Sequence, residues 1–434
     1  MKLPKVKFLA LAAGLLCVAF PAAARTRTWP VPRGSFIQDY LVGDWSEAKW
    51  RQEFRYMKAV GMDIIVFGCT ADSQKMVTYY PTSVPGFRQS TNHRDTVGKC
   101  LAAAKAEGMK VMLGLNFSGM EWFRKGASDP QWLYAQMNQG NLIASDLYRR
   151  YHARYPNTFW GWYWVWEADN LNFKQPERAD VLAKALDITV RHLKSLNPRM
   201  PVMICPFMNA ACGPAEEYRD TWTRIFARCS FGKGDIFAPQ DSCGAGGINV
   251  GIVGHWFAEL KKAVDTKPGL LFWSDSECFT QADWTATTLD RYNAQLKAIQ
   301  PYVSGYISFA YCHYYSPHVM NAGFQKTLEG YVRTGRLESI PPTLPPSLKG
   351  VRAADGVRLS WGKSTDNVGV CGYTVYRDGV RLGRTQIARV YEHKWPPVDR
   401  YLDKAAVPGK PARYEVQAYD FAGNAGPKAA VTVN

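Results

Sequence analysis

Between about residues 33 and 336, short apolar runs alternate with stretches whose apolar positions recur at helical spacing. The runs cover residues 34–39, 62–68, 110–116, 159–170, 201–206, 235–239, 269–275 and 303–310. Helical patterns occupy 47–60, 94–107, 129–154, 179–196, 216–228, 254–264 and 281–299, and a last one covers 324–332. Gly61 and Gly108 stand where the first two helices should stop. Runs apolar on both faces suit a parallel sheet covered by helices. Eight such units predict an α/β fold closed as a (β/α)8 TIM barrel over residues 28–336. An open doubly wound sheet is the weaker solution, because no glycine-rich dinucleotide turn follows any run.

The pattern breaks at SIPPTLPPS, residues 339–347, whose prolines predict an extended, semi-rigid linker over 337–347. Beyond it the period becomes two, at 357–361, 372–376, 412–419 and 429–433, and Asp378-Gly379 is a hairpin turn signal. Short alternating strands over 348–434 predict an all-β sandwich. Ahead of the barrel, Lys2, Lys5 and Lys7 precede an apolar stretch at 8–20 and a small-residue site at Ala22-Ala23-Ala24. Residues 1–24 therefore read as a secretory signal, too short to span a membrane, and the protein is expected to be secreted or periplasmic.

The fourth run, FWGWYWVWEADN, is aromatic along its length and ends in Glu167 and Asp169. In a barrel the active site lies at the C-terminal ends of the strands. There the chain offers Gln38, Asn116, Glu167 and Asp169, Asn209, Gln240 and Asp241, Asp275 and Glu277, and Tyr311 and His313. This ring is acidic and rich in amides and aromatics, with almost no cations. The fourth and seventh strands lie across the barrel from each other, so Glu167 and Glu277 can flank one bond, as glycoside hydrolysis requires. Trp162, Trp164, Trp166, Trp273 and Phe279 surround the acids, and apolar neighbours raise a carboxyl pKa toward that of a proton donor. Trp166, Gln38, Asn116, Asp275, Tyr311 and His313 are the expected substrate contacts. Asp169 and Asp241 read more simply as structural loop or capping acids.

Lysine and arginine exceed acids by 53 to 37, and without the three signal lysines by 50 to 37. The excess is scattered, which argues for solubility or affinity for an anionic envelope and against nucleic acid. Nine cysteines remain after Cys17, an odd number, and in an oxidising compartment some should pair. Cys69 with Cys100, or a grouping among Cys205, Cys212, Cys229 and Cys243, are the candidates, and Cys371 reads as free and buried. Neither the cysteines nor the seven histidines show metal-ligand spacing, so no metal or cofactor is expected.

The segment LSWGKSTDNVGVCGYTVYRDG, with YEVQAYDFAGN later, resembles a bacterial fibronectin type III module over residues 345–434. Trp361 matches its core tryptophan and Tyr414 its late-strand tyrosine. The barrel, through Gly34-Ser-Phe-Ile-Gln38, Trp50, Met57-Lys58, Gly61-Met-Asp63, GWYWVWE and WSDSECF, resembles an uncharacterised bacterial family of barrels grouped with the glycoside hydrolases. More broadly it is similar to the large retaining clan of barrel glycosidases. That likeness implies Glu167 as acid/base and Glu277 as nucleophile, although Trp166 stands where the clan usually has Asn. The expected function is an exported hydrolase of a polysaccharide or oligosaccharide. The alternative is a non-catalytic polysaccharide-binding or assembly protein that keeps the barrel.

Overall fold

The computed structural model describes residues 28–92, 94–123, 125–318, 322–387 and 398–434. The secretory signal expected over 1–24 lies outside them. Eight parallel strands close into a barrel: β1 (Gly34–Ile37), β2 (Ile64–Phe67), β3 (Lys110–Gly114), β4 (Phe159–Trp164), β5 (Val202–Ile204), β6 (Ile236–Phe237), β7 (Leu271–Glu277) and β8 (Gly305–Phe309). The helices are α1 (Glu47–Ala59), α2 (Thr96–Glu107), α3 (Pro130–Leu147), α4 (Pro176–Leu196), α5 (Ala215–Arg228), α6 (Val250–Asp265), α7 (Leu289–Ile299) and α8 (Ala322–Thr334). Local chemistry starts and stops them. Ser46 caps α1 by accepting from Lys49 N at 3.2 Å, Asp129 caps α3 by accepting from Trp132 N at 3.0 Å, and Gly108 ends α2 at φ +69°.

Alternation along the strands divides the core in two. Phe36, Val66, Met112, Tyr163, Met203, Trp273 and Ile307 fill the barrel interior. Ile37, Phe67, Leu113, Trp162 and Trp164 pack outward against the helices. In β4 this phase is set by a bulge. Val111 pairs with Phe159 but Met112 pairs with Gly161, which leaves Trp160 as an extra residue. A one-residue slip exchanges the two faces of a strand. Phe159 and Trp162 therefore both face the helices, while Tyr163 and Val165 face the interior, in phase with Glu167. A side chain at Gly161 would meet Met112 Cε and the Pro201 carbonyl oxygen at 2.9 Å, so glycine permits this close approach.

Two expectations fail. The helix expected over 281–299 begins only at Leu289, because Phe279–Thr280 and Thr285–Ala286 form a small antiparallel ribbon first. Trp284, at φ +50°, stands in a backbone conformation that no helix accommodates. The expected disulfides are also absent: the nine cysteines of the described residues are all free.

The C-terminal strands are β9 (Lys349–Ala353), β10 (Gly356–Ser360), β11 (Val370–Arg377), β12 (Val380–Gln386), β13 (Arg400–Asp403), β14 (Ala412–Asp420) and β15 (Ala425–Val433). They form a three-stranded sheet, β9-β10-β13, and a four-stranded sheet, β12-β11-β14-β15. Trp361 meets Tyr373 edge-on at 5.3 Å in the core between them, and buried Tyr414 donates to Asp403 at 2.9 Å. The sheets dock directly on the barrel. Phe421 packs edge-on against Phe324 of α8 at 4.5 Å, and its carbonyl accepts from Leu289 N at the start of α7. Among the described residues no helix is long and apolar enough to cross a membrane.

Candidate active site

Glu167 lies three residues past β4, on the interior phase set by the bulge. Its Oε1 accepts from Gln240 Nε2 at 3.0 Å, and the same amide donates to the Cys205 carbonyl at 3.2 Å. Burial raises the Glu167 carboxyl above its ordinary value. The Gln240 donor offsets part of this rise, and the charge of Asp169 adds to it. Glu167 opens into a cleft of about 210 Å³ that it shares with Glu121, Asp169, Asn170, Phe207 and Asn209. Asp169 is occupied locally, accepting from Leu171 N at 2.8 Å and Asn172 N at 2.6 Å, as a loop-capping acid does.

Glu277, at the end of β7, is sealed. It is 2 % exposed, and its Oε2 accepts from Ala245 N at 2.7 Å. Asp275 and Asp241 are equally buried. Asp241 collects donors from Gln295 Nε2 at 2.7 Å, Cys243 N at 3.2 Å and Glu277 N at 3.3 Å. Asp275 Oδ1 has no partner. Three neighbouring acids in a dry site cannot all ionise. Burial pushes Asp241 up to about 6 against the pull of Gln295. It pushes Glu277 up to about 8, with the Asp241 charge adding to the shift. Asp275 is driven well above the carboxylate range by burial first, then by the charges of Glu277, Asp241 and Glu167. With three donors on Asp241, the negative charge of the group rests there and Glu277 keeps its proton near neutrality.

The remaining expected contacts divide. On the β8–β1 side His313 Nε2 accepts from Gln38 N at 3.2 Å. The ring proton therefore sits on Nδ1, which is buried without a partner, and burial holds the imidazole neutral with a pKa of about 3. Asn116, Trp166 and Tyr311 are turned into the helix layer instead. The Asn116 amide donates to Gln136 of α3, Trp166 packs on Phe117 and Trp132, and the Tyr311 hydroxyl donates to Gln325 of α8. Trp166 keeps the outward phase of Trp162 and Trp164. Asn116 and Tyr311 share the parity of inward Met112 and Ile307, yet they turn outward because the barrel strand has already ended, Tyr311 opening a short helix at Tyr311–Tyr314.

The residue that sequence reasoning missed is Glu121, in a short 3-10 turn (Gly119–Phe123) beyond β3. It faces the same cleft as Glu167. Burial raises its carboxyl to about 7, the Gly126 N–H lowers it, and the charges of Asp169 and Glu167 raise it further. Its only sequence signal is an acid a few residues beyond a strand end.

The profile of DUF4434, a domain of unknown function, matches residues 33–321, more than half of the chain. The chain belongs to this family. A solved structure similar to this DUF4434 protein comes from Bacteroides thetaiotaomicron and provisionally bears the name alpha-L-fucosidase. The two are 19 % identical with a TM-score of 0.55, over 76 % of this chain and 97 % of that one, a likeness that establishes the barrel fold. Two curated relatives match over short stretches. An alpha-amylase of Niallia circulans is 39 % identical over 84 residues, covering 19 % of this chain. The chitinase Chi52 of Paenibacillus xylanexedens is 49 % identical over 49 residues, covering 11 % of it. The aligned stretches span 6 % and 9 % of those relatives' own lengths.

Proposed function

We propose that this DUF4434 protein is an exported glycoside hydrolase that cleaves a polysaccharide or oligosaccharide with two carboxyl groups. Glu167 gives its proton to the departing glycosidic oxygen while Glu277, ionised, attacks the anomeric carbon. The bond to the leaving sugar breaks as the bond to Glu277 forms. Water then attacks that carbon, Glu167 takes up its proton, and Glu277 departs as a carboxylate. Gln240 orients Glu167, and neutral His313 holds the Gln38 backbone at the end of β1. The C-terminal sheets, on this reading, are a fibronectin type III module.

One observation carries the proposal. Gln240, whose amide donates to Glu167, pairs in parallel with Asp275, two residues before Glu277 on β7, so the carboxyls that follow β4 and end β7 meet on the same side of the barrel mouth. A second reading rests on the open cleft, which Glu121 shares with Glu167 and Glu277 does not line. There Glu121 would take the part of the second carboxyl. Reducing ends released from a panel of bacterial and plant polysaccharides decide between them. Loss of release in both Glu167→Gln and Glu277→Gln supports the first pair. Loss in Glu121→Gln with Glu277→Gln active supports the second. Glycan binding without release by the parent chain favours a non-catalytic binding protein over both.

A further inference from the structure

The ribbon that follows Glu277 carries an aromatic surface that neither proposed carboxyl pair uses. Among tryptophans whose side chains are described, only Trp284 is exposed, at 39 %. Its ring lies parallel to Phe279, 5.7 Å away and within 5°. Phe279 stacks in turn on Tyr314 at 5.4 Å and meets Phe309, the last residue of β8, edge-on at 6.0 Å. The exposed indole thus heads an aromatic stack rooted in the barrel mouth two residues from Glu277. The ribbon also touches the loop that holds Glu277, since Gln281 N donates to the Gly244 carbonyl at 2.9 Å.

Trp284 sits at φ +50°, in the left-handed region that bulky residues rarely adopt. Both of its neighbours are gripped from the C-terminal domain. Arg384 of β12 donates Nε and a terminal nitrogen to the two Asp283 oxygens at 2.9 and 3.0 Å, and also donates to the Thr285 hydroxyl. Gln386, two residues on, donates to the Ala286 carbonyl at 2.9 Å. A bidentate arginine fixes orientation as well as distance. From the barrel side Arg291 donates to the Phe279 carbonyl.

We propose that the C-terminal domain completes the glycan site, with Arg384 positioning the ribbon so that Trp284 presents its indole face to the apolar face of a pyranose ring. The substrate-facing half of this proposal rests on the carbohydrate reading above, whereas the bracing half does not. A β-sandwich joined by a proline-rich segment would ordinarily pass for a spacer. Here it is a fixed wall of the barrel mouth.

The two halves are tested separately. Hydrogen exchange of the full chain should show the 279–286 amides exchanging at least about tenfold faster in Arg384→Ala and in Asp283→Asn, with residues 412–420 and the barrel helices as protected as in the parent. Unchanged ribbon protection in both variants overturns the brace. Calorimetry with hexaoses of β-1,4-linked glucose, mannose and N-acetylglucosamine tests the platform. Trp284→Ala should weaken the bound hexaose about tenfold, and Trp284→Phe should keep most of the affinity. Equal affinity in Trp284→Ala, or no hexaose bound by the parent, overturns it. Reducing ends are measured on the same mixtures. Trp284-dependent binding without release by the parent would sink the hydrolase reading and leave the platform standing.

Discussion

The two acidic regions of the barrel mouth use the same side chains in opposite ways. Around Glu167 the acids border an open cleft, and Glu167, Asp169 and Glu121 each accept a hydrogen bond there. Around Glu277 the three acids Asp241, Asp275 and Glu277 are sealed behind the β6–β7 side of the mouth. In the first region a proton can be exchanged with substrate or solvent. In the second, protons are shared among neighbours because only limited charge is tolerated there. A carboxyl at a strand end is thus not one kind of group. Its access to water decides whether it is poised to give a proton or must first be relieved of one.

The largest effects that would break this comparison are on turnover. Glu167→Gln and Glu277→Gln should each lower kcat/KM by about 10²–10⁴-fold, the range typical of a lost proton-transfer group. Glu121→Gln should lower it by less than about tenfold if Glu121 only tunes its neighbours through charge. Reversal of that ranking would move the chemistry wholly into the open cleft.

The pH profile sharpens the same contrast. A nucleophile acts ionised, and Glu277 is held protonated up to about 8. The kcat/KM profile of the free enzyme should therefore carry a limb near pH 8, and Asp241→Asn, which removes the charge that adds to the shift, should move that limb to lower pH. A limb that stays in place in Asp241→Asn would overturn its assignment to Glu277.

Stability gives a smaller signal. A carboxyl whose pKa is raised on folding contributes stability that is fully present below its unfolded value and is lost as pH rises through its folded value. For the sealed group that window runs from the ordinary carboxylate range up to about 8 at Glu277. Asp275→Asn should accordingly raise Tm at alkaline pH and change it little in acid, as calorimetric scans at the two pH values would show. The smallest expected change is at the bulge. Gly161→Ala forces a methyl group against Met112 and Pro201 and should cost roughly 1–3 kcal/mol in urea unfolding.

Much of the barrel is legible in the chain. All eight expected runs became strands in order, since a strand covered on both faces must be apolar throughout and its helices must carry an apolar stripe. The counting that put Glu167 after β4 and Glu277 after β7 follows from that periodicity alone. Which way a strand-end residue points does not. Asn116, Trp166 and Tyr311 satisfy the same positional rule as Glu167, yet their partners are Gln136, Trp132 and Gln325 in the helix layer. The helix expected at 281 gave way to a ribbon because Arg384, about a hundred residues later, grips Asp283 and Thr285. No local pattern registers such a contact.

The amino-acid sequence by itself determined the number and order of the strands, the break at the prolines and the acids at the strand ends, because these are properties of neighbouring residues. Only the tertiary structure decided that a single extra residue at Trp160 turns Glu167 inward, that Glu277 is sealed while Glu121 is not, and that the C-terminal domain braces the barrel mouth. Pairing register, access to water and domain docking arise between segments far apart in the chain, and the energies that choose among them exist only once those segments have met.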